Sequence, residues 1–230
     1  MLTLFVVPVI PSGEMLHVEG EEAHHGIKSL RLNVGEVVRA TDGKGAWVAG
    51  PVREIGKKSF EIAITSRGQE SIQSPKLIVI QALTKSDRMK ETLDLLTVGG
   101  ADEIIPWQSE RSIGKWQSDS RAKWEEVVHA SSKQSRRVNF PLVREAISTD
   151  EIRENYKNVY VLHEAATTSV TDISFVGDEI IIVVGPEGGI SESELSKIGG
   201  REIRLGKEVL RSAHAGFAAL ASIQTLVRRW

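Results

Sequence analysis

The feature that most constrains the fold is Ile180-Ile-Ile-Val-Val184, which runs without a break into Gly185-Pro-Glu-Gly-Gly189 and then into Ser191 and Glu194. A short uninterrupted run of β-branched apolar residues reads as a strand buried on both faces, as in a parallel sheet covered by helices. Ser191 and Glu194 have the spacing of a capping box, so a helix begins there. In such sheets, ligands bind in the crevice beyond the carboxyl ends of the strands. Glycines let the backbone approach a ligand closely, and Pro186 stiffens the loop. A plain tight turn from strand to helix has the same composition, and the loop by itself leaves both readings open. It contains neither the Gly-Lys-Ser/Thr of a phosphate loop nor Gly-x-Gly-x-x-Gly, which takes support from nucleoside triphosphates and nicotinamide cofactors.

This strand belongs to an alternating series. Leu77–Leu83, Glu103–Pro106, Val159–Leu162 and Ile180–Val184 read as strands, and Arg88–Leu96, Arg121–Gln134, Glu192–Ile198 and Ala213–Arg229 as helices. That rhythm predicts a mostly parallel α/β sheet. The first seventy residues differ. Leu2–Pro8, Met15–Val18, Glu36–Thr41, Trp47–Val52 and Ser59–Thr65 read as short strands around one helix, Glu21–Leu30. Close-spaced strands with turn signals predict a small barrel. Ser66–Pro75 is polar and reads as a linker, giving domains at 1–70 and 76–230.

The apolar run at Glu179–Val184 is too short to span a bilayer, so no membrane association is expected. The amino terminus lacks a basic leader and a small-residue cleavage site, and the chain has no cysteine. Both fit a cytoplasmic location, and the second excludes thiolate zinc sites and a cysteine nucleophile. His24 and His25 are adjacent, so they do not share a helix face, and no metal is expected. The net charge of -2 weighs against nucleic acid as a partner. Its distribution matters more: Arg121, Lys123, Lys133, Arg136, Arg137 and Arg144 face only Glu125 and Glu126 in that stretch. By charge pattern alone this is equally a basic binding surface or a solvated helix face.

A second informative segment is Ile203-Arg-Leu-Gly-Lys-Glu-Val-Leu-Arg211, which leads into a final helix rich in small residues: Ala213, Ala215, Gly216, Ala218, Ala219 and Ser222. Val184–Gly189, a short helix, Leu205-Gly206, Val209-Leu-Arg211 and the small-residue helix together resemble the SPOUT methyltransferases. Within them the chain is most similar to the RsmE-type 16S rRNA (uracil-N3)-methyltransferases. Lys85-Ser-Asp-Arg88, Ile105-Pro-Trp-Gln-Ser-Glu-Arg-Ser112 and Ala130-Ser-Ser-Lys-Gln-Ser-Arg-Arg137 resemble segments of that family, and His25-Gly-Ile-Lys-Ser-Leu-Arg-Leu32 with Val34-Gly-Glu36 resembles its amino-terminal RNA-binding domain.

The resemblance implies a PUA-like β-barrel followed by an α/β parallel-sheet domain tied in a trefoil knot. It implies a homodimer, S-adenosyl-L-methionine (SAM) held by the knot loops, and 16S rRNA of the small ribosomal subunit as partner. The cofactor residues would be Leu162, Val184, Gly185, Pro186, Glu187, Gly188, Leu205, Gly206, Val209, Leu210 and Arg211. RNA contacts would come from Lys28, Arg31, Arg88, Arg111, Gln134, Arg136 and Arg137. Methylating uracil N3 requires displacement at the sulfonium methyl by a ring nitrogen that loses its proton, with the base flipped out. Arg211 is the candidate for charge stabilisation, and Glu187 for orienting the cofactor or accepting the proton.

Two segments depart from the family pattern. Val98-Gly99-Gly100 stands where an acidic residue usually precedes Leu-Gly, and Arg211-Ser-Ala-His-Ala215 replaces a run with more hydroxyls and a carboxylate. His214 is the polar residue left there, and a solvated helix histidine is its bland reading. Two alternatives accompany the uridine-N3 reading: a SPOUT ribose 2′-O-methyltransferase, and an RNA-binding or ribosome-assembly protein with weakened catalysis.

Overall fold

The computed structural model describes residues 2–230, with the side chains of Ser86 and Asp87 set aside. The Lys85–Arg88 resemblance therefore falls partly outside the described side chains. The chain divides into two compact units, one running up to Ile72 and including Ser132–Phe140, the other comprising Gln73–Ser131 and Pro141–Trp230. The sequence reading placed Ser132–Phe140 with the larger domain. Backbone pairing explains the difference: Gly45 N–H donates to Val138 O, and Phe140 N–H donates to Gly43 O.

The first unit contains β1 (Thr3–Val6), β2 (Met15–Glu19), α1 (Gly20–His24), β3 (Val37–Thr41), β4 (Ala46–Ile55), β5 (Ser59–Ala63) and β6 (Ser66–Gln69). Strands β1-β3-β4-β5-β2 are neighbours in that order, with β6 also on β4, and β1 runs parallel to β3 while the other pairs are antiparallel. Alternating burial along β2 and β5 turns Leu16, Val18, Phe60 and Ile62 inward. The rings of Phe5 and Phe60 meet edge to face with centroids 4.9 Å apart.

The helix foreseen over Glu21–Leu30 is α1 followed by a π-helical turn at His25–Ser29. Gly26 in that turn lies so close to the core that an added Cβ would sit 3.1 Å from the Phe5 ring and 3.2 Å from that of Phe60. Ser66–Gln69, foreseen as linker, is β6 paired with Ala46–Ala49 of β4. Its residues are polar because only β4 borders it, so it shows no apolar alternation.

The second unit contains β7 (Lys76–Ala82), α2 (Ser86–Val98), β8 (Glu103–Trp107), α3 (Ser120–Ser135), β9 (Leu142–Val143), α4 (Thr149–Asn155), β10 (Val159–Leu162), β11 (Glu179–Val184), α5 (Glu192–Ile198), β12 (Arg201–Ile203) and α6 (Ser212–Leu226). The strands form one parallel sheet in the order β12-β10-β11-β7-β8-β9. The two-residue period of a strand sends Leu77, Val79, Ile180 and Ile182 to one face, with Leu93 and Leu96 of α2 and Leu220 and Ile223 of α6. Ile78, Ile80, Ile181 and Val183 go to the other, with Ile152 of α4 and Leu195 and Ile198 of α5. Each such fully buried aliphatic side chain contributes about 1.5–3 kcal/mol. Strand β9 and helix α4 had no counterpart in the sequence reading; β9 is two residues long, and α4 buries only Ile152.

The departure at Val98–Gly100 has a packing role. Gly100 closes α2 at φ +90, and Gln224 Nε2 of α6 donates to Gly99 O at 2.7 Å. At Gly216 an added Cβ would lie 2.7 Å from Leu96 Cδ2, so the glycine permits the close approach of α6 to α2. No described helix is long and apolar enough to cross a membrane.

Candidate functional site

Strands β10, β11 and β12 are parallel neighbours, so the segments leaving their carboxyl ends emerge along one edge of the sheet. They enclose a cavity of about 410 Å³. Leu162, His163 and Glu164 line it after β10, residues 184–190 after β11, and Arg204–Gly206 after β12. Glu208–Ser212 and Ala215 complete the lining at the start of α6. All eleven residues singled out for the cofactor, from Leu162 through Arg211, line this one cavity.

Local structure explains how the loops hold their shape. Pro186 O accepts from Gly189 N–H at 2.9 Å, closing a turn in which Gly189 adopts φ +73, a conformation costly for any residue with a Cβ. The capping box at Ser191 and Glu194 is formed and starts α5 directly after this turn. An added Cβ on Gly185 would fall 2.7 Å from Ile190 Cγ1, so the loop folds back on itself only because Gly185 has none. Ser212, the first residue of α6, is buried; its Oγ donates to Gly185 O at 2.7 Å and accepts from Gln81 Nε2 at 2.9 Å. His163 Nδ1 lies 2.9 Å from Glu202 Oε2, which fixes the ring at the cavity wall.

The cavity mixes two kinds of surface. Leu205, Val209 and Leu210 offer apolar contact, and Val209 is 75% exposed. Glu164, Glu187 and Glu208 stand with Arg204 and Arg211 among the lining residues. His163, Glu164, Arg204 and Glu208 escaped the sequence reading, and Ser212 entered it only as a departure from the family pattern. The rule that ligands sit beyond strand ends would have found His163 and Glu164, since they directly follow Leu162.

The residues singled out for RNA separate into two groups. Lys28, Arg31, Gln134, Arg136 and Arg137 belong to the first unit, and Arg88 and Arg111 to the second. Arg31 and Arg136 both adopt positive φ, at 54° and 61°. Arg136 Nη1 is buried with no acceptor, while Arg137 Nε donates to Asn139 O at 3.1 Å. Arg88 pairs with Glu91 at 3.2 Å. Arg111 is exposed, and its Nη1 donates to Gly188 O at 2.9 Å.

Comparison with known proteins agrees with this architecture. Residues 70–224 match the RNA methyltransferase domain family, and residues 18–65 match the RNA methyltransferase PUA domain family. The ribosomal RNA small subunit methyltransferase E of Mycobacterium bovis is 32% identical, covering 99% of this chain and 93% of that protein. Its Bacillus subtilis counterpart is 25% identical over 90% of this chain and 88% of its own. Among solved structures, ribosomal RNA small subunit methyltransferase E from Neisseria gonorrhoeae, bound to S-adenosyl methionine, superposes with a TM-score of 0.88 at 28% identity, covering 98% of both chains. By full-length identity and by the matched domain, the chain belongs to the ribosomal RNA small subunit methyltransferase E family.

Proposed function

We propose that this protein methylates N3 of a uridine in 16S ribosomal RNA of the small subunit, with SAM as methyl donor. The observation that carries the reading is the single cavity into which the loops after β10, β11 and β12 bring both an apolar wall and a set of carboxylates. Its size is that of a small-molecule site. Leu205, Val209 and Leu210 suit an adenine ring, and Glu164, Glu187 and Glu208 suit a cationic ligand. When bound, SAM supplies an already activated methyl group, so the protein's own work is orientation and charge control.

In this reading the backbone of Gly185–Gly188 and Leu205–Leu210 holds the cofactor. Arg211, at the mouth of α6, stabilises the negative charge that uracil gains as N3 loses its proton. Glu187, exposed on the cavity loop, orients the cofactor or accepts that proton. Lys28, Arg31, Arg88, Gln134, Arg136 and Arg137 draw in the RNA backbone. The exposure of Lys28, Arg31 and Gln134 supports this, because each is open to a phosphate. The reading includes a knotted passage of α6, which the family resemblance implies. It also includes a homodimer, supported by Leu226 and Trp230, which remain 43% and 63% exposed near the end of α6.

The experiment is methyl transfer from labelled SAM to small subunits isolated from cells lacking the protein, followed by nucleoside mass spectrometry. The expected product is 3-methyluridine, absent with Arg211→Ala. A ribose-methylated nucleoside would instead place the activity on the 2′-hydroxyl, and SAM binding without any product would leave an RNA-binding or assembly role.

A further inference from the structure

Arg111 read as one of the cations that meet RNA. Its surroundings assign it other work. The loop after β8 is tied at three points to the cavity loop and the start of α5. Glu110 N–H donates to Glu194 Oε1 at 2.8 Å, Ser191 Oγ donates to Glu110 Oε2 at 2.7 Å, and Arg111 Nη1 donates to Gly188 O at 2.9 Å. Glu194, only 4% exposed, is itself held by Thr149 Oγ1 at 3.0 Å, and Thr149 Oγ1 accepts from Trp107 Nε1 at 3.1 Å. The Glu110 backbone, next to Arg111, is thus anchored through a buried carboxylate to the end of β8. Its aliphatic stem lies over Gly188, where an added Cβ would be 3.4 Å from Arg111 Cβ and 3.6 Å from Cδ.

The consequence falls on one peptide group. The unit between Gly188 and Gly189 is planar, so its C=O and N–H point in opposite directions and turn together. Its C=O accepts from Arg111, and its N–H donates to Pro186 O at 2.9 Å. With glycine on both sides, rotation of this peptide by half a turn meets little steric resistance. A flipped peptide would break both of these bonds and change the course of a loop that lines the cavity.

We infer that Arg111 is a positioning residue for SAM: it holds the Gly188–Gly189 peptide in one orientation and so keeps the cavity loop ready for the cofactor. Arg111 acts through Gly188 and need not touch SAM or the RNA. The inference rests on the proposed SAM site.

The test is SAM binding by calorimetry with no RNA present, on the wild-type protein and on Arg111→Met, Arg111→Ala and Arg111→Lys. The methionine keeps an apolar stem over Gly188 without a donor; the lysine restores a donor. Losing one charge-assisted hydrogen bond that selects the binding orientation weakens SAM by about tenfold. Arg111→Met and Arg111→Ala are therefore expected to raise the SAM Kd by about that factor, and Arg111→Lys to recover most of it. In turnover, KM for SAM rises while kcat at saturating SAM and KM for the RNA stay near wild type. Amide hydrogen exchange across Gly185–Ile190 rises in Arg111→Met, a readout that needs no activity. An unchanged SAM Kd, with KM raised only for RNA, overturns the inference and returns Arg111 to the phosphate contacts. Failure of the wild-type protein to bind SAM is a different result, which removes the proposed function and the inference with it.

Discussion

Gln81 Nε2 donates to Ser212 Oγ across 2.9 Å, joining the carboxyl-terminal part of β7 to the first residue of α6. Ser212 Oγ passes its own proton toward Gly185 O at 2.7 Å, and Gln81 Nε2 also donates to Ala82 O at 3.1 Å. Two segments 131 positions apart thereby fix the start of the cavity loop. Both side chains are buried, Gln81 fully and Ser212 to 6% exposure, so water does not substitute for a lost partner.

Ser212→Ala is expected to lower stability by about 1–3 kcal/mol, because it strands the Gln81 amide and the Gly185 carbonyl together. SAM affinity should fall with it, while Ser212→Thr keeps the hydroxyl and most of both. The coupling is read by a double-mutant cycle in urea: Gln81→Leu with Ser212→Ala should cost less than the two single changes added, by about 0.5–3 kcal/mol. Simple additivity would show that the two residues act separately.

The junction of α2 and α6 gives a second expectation. Gly100 holds φ +90, and an added Cβ would lie 2.7 Å from Gln224 Oε1, whose amide caps Gly99. Gly100→Ala therefore combines left-handed strain of about 1–2 kcal/mol with loss of a buried hydrogen bond worth about 1 kcal/mol. For a chain of this length that corresponds to a fall in Tm of roughly 5–10 °C, measured by calorimetry. A change below about 2 °C would mean that Gln224 has another way to satisfy Gly99.

These residues also show how far the sequence carried. The strand–loop–helix at Ile180–Glu194 was legible because its signals are local: apolar run, glycines and capping box all fall within one window. The cavity residues after β12 were legible through resemblance, since Leu205–Arg211 carries little periodicity of its own. What escaped was set by distant partners. Gln81 is one polar residue inside an apolar strand, and only the fold reveals that Ser212 waits opposite it. Ser66–Gln69 pairs with β4 through backbone alone, and Ser132–Phe140 joins the first unit through backbone bonds to Gly43 and Gly45, neither of which leaves an apolar pattern. Arg111 read as an RNA contact only through resemblance, and its acceptor lies 77 residues later.

The carboxyl-terminal end is pinned by an ion pair that local pattern could not announce. Arg229 Nη1 lies 2.8 Å from Asp102 Oδ2 and 2.6 Å from Pro75 O, with Nη2 3.3 Å from Asp102 Oδ1. The two side chains are only 6% and 5% exposed, and Asp102 Oδ2 also accepts Leu77 N–H. Arg229→Ala leaves a buried carboxylate short of its counter-charge and should cost about 3–5 kcal/mol. Arg229→Lys restores charge but not the two-pronged geometry, so it should recover only part. Chemical denaturation of the three proteins measures this, and equal stability for all three would show that the pair contributes nothing net.

Glu103, the first residue of β8, ties part of the stability to pH at the acid end. Its carboxylate is 3% exposed and is met by Lys76 Nζ at 2.6 Å and Arg144 Nε at 2.7 Å. Burial pushes its pKa up, but the hydrogen bonds and charges of Arg144 and Lys76 together outweigh burial and hold it below the ordinary 4.5. A carboxyl group with a depressed pKa in the folded state binds fewer protons there than when unfolded. Its contribution is therefore fully present above pH 4.5 and is lost as pH falls through the folded value. Because Lys76 and Arg144 are 27% and 53% exposed, solvent screens the pair, and Glu103→Gln should cost about 1–2 kcal/mol at neutral pH, less than a fully enclosed pair would. Stability measured in urea from pH 7 down to pH 3 should show the wild-type curve falling toward that of Glu103→Gln below pH 4.5. Parallel curves over that range would mean that Glu103 ionises alike in both states and that Lys76 and Arg144 do not hold it.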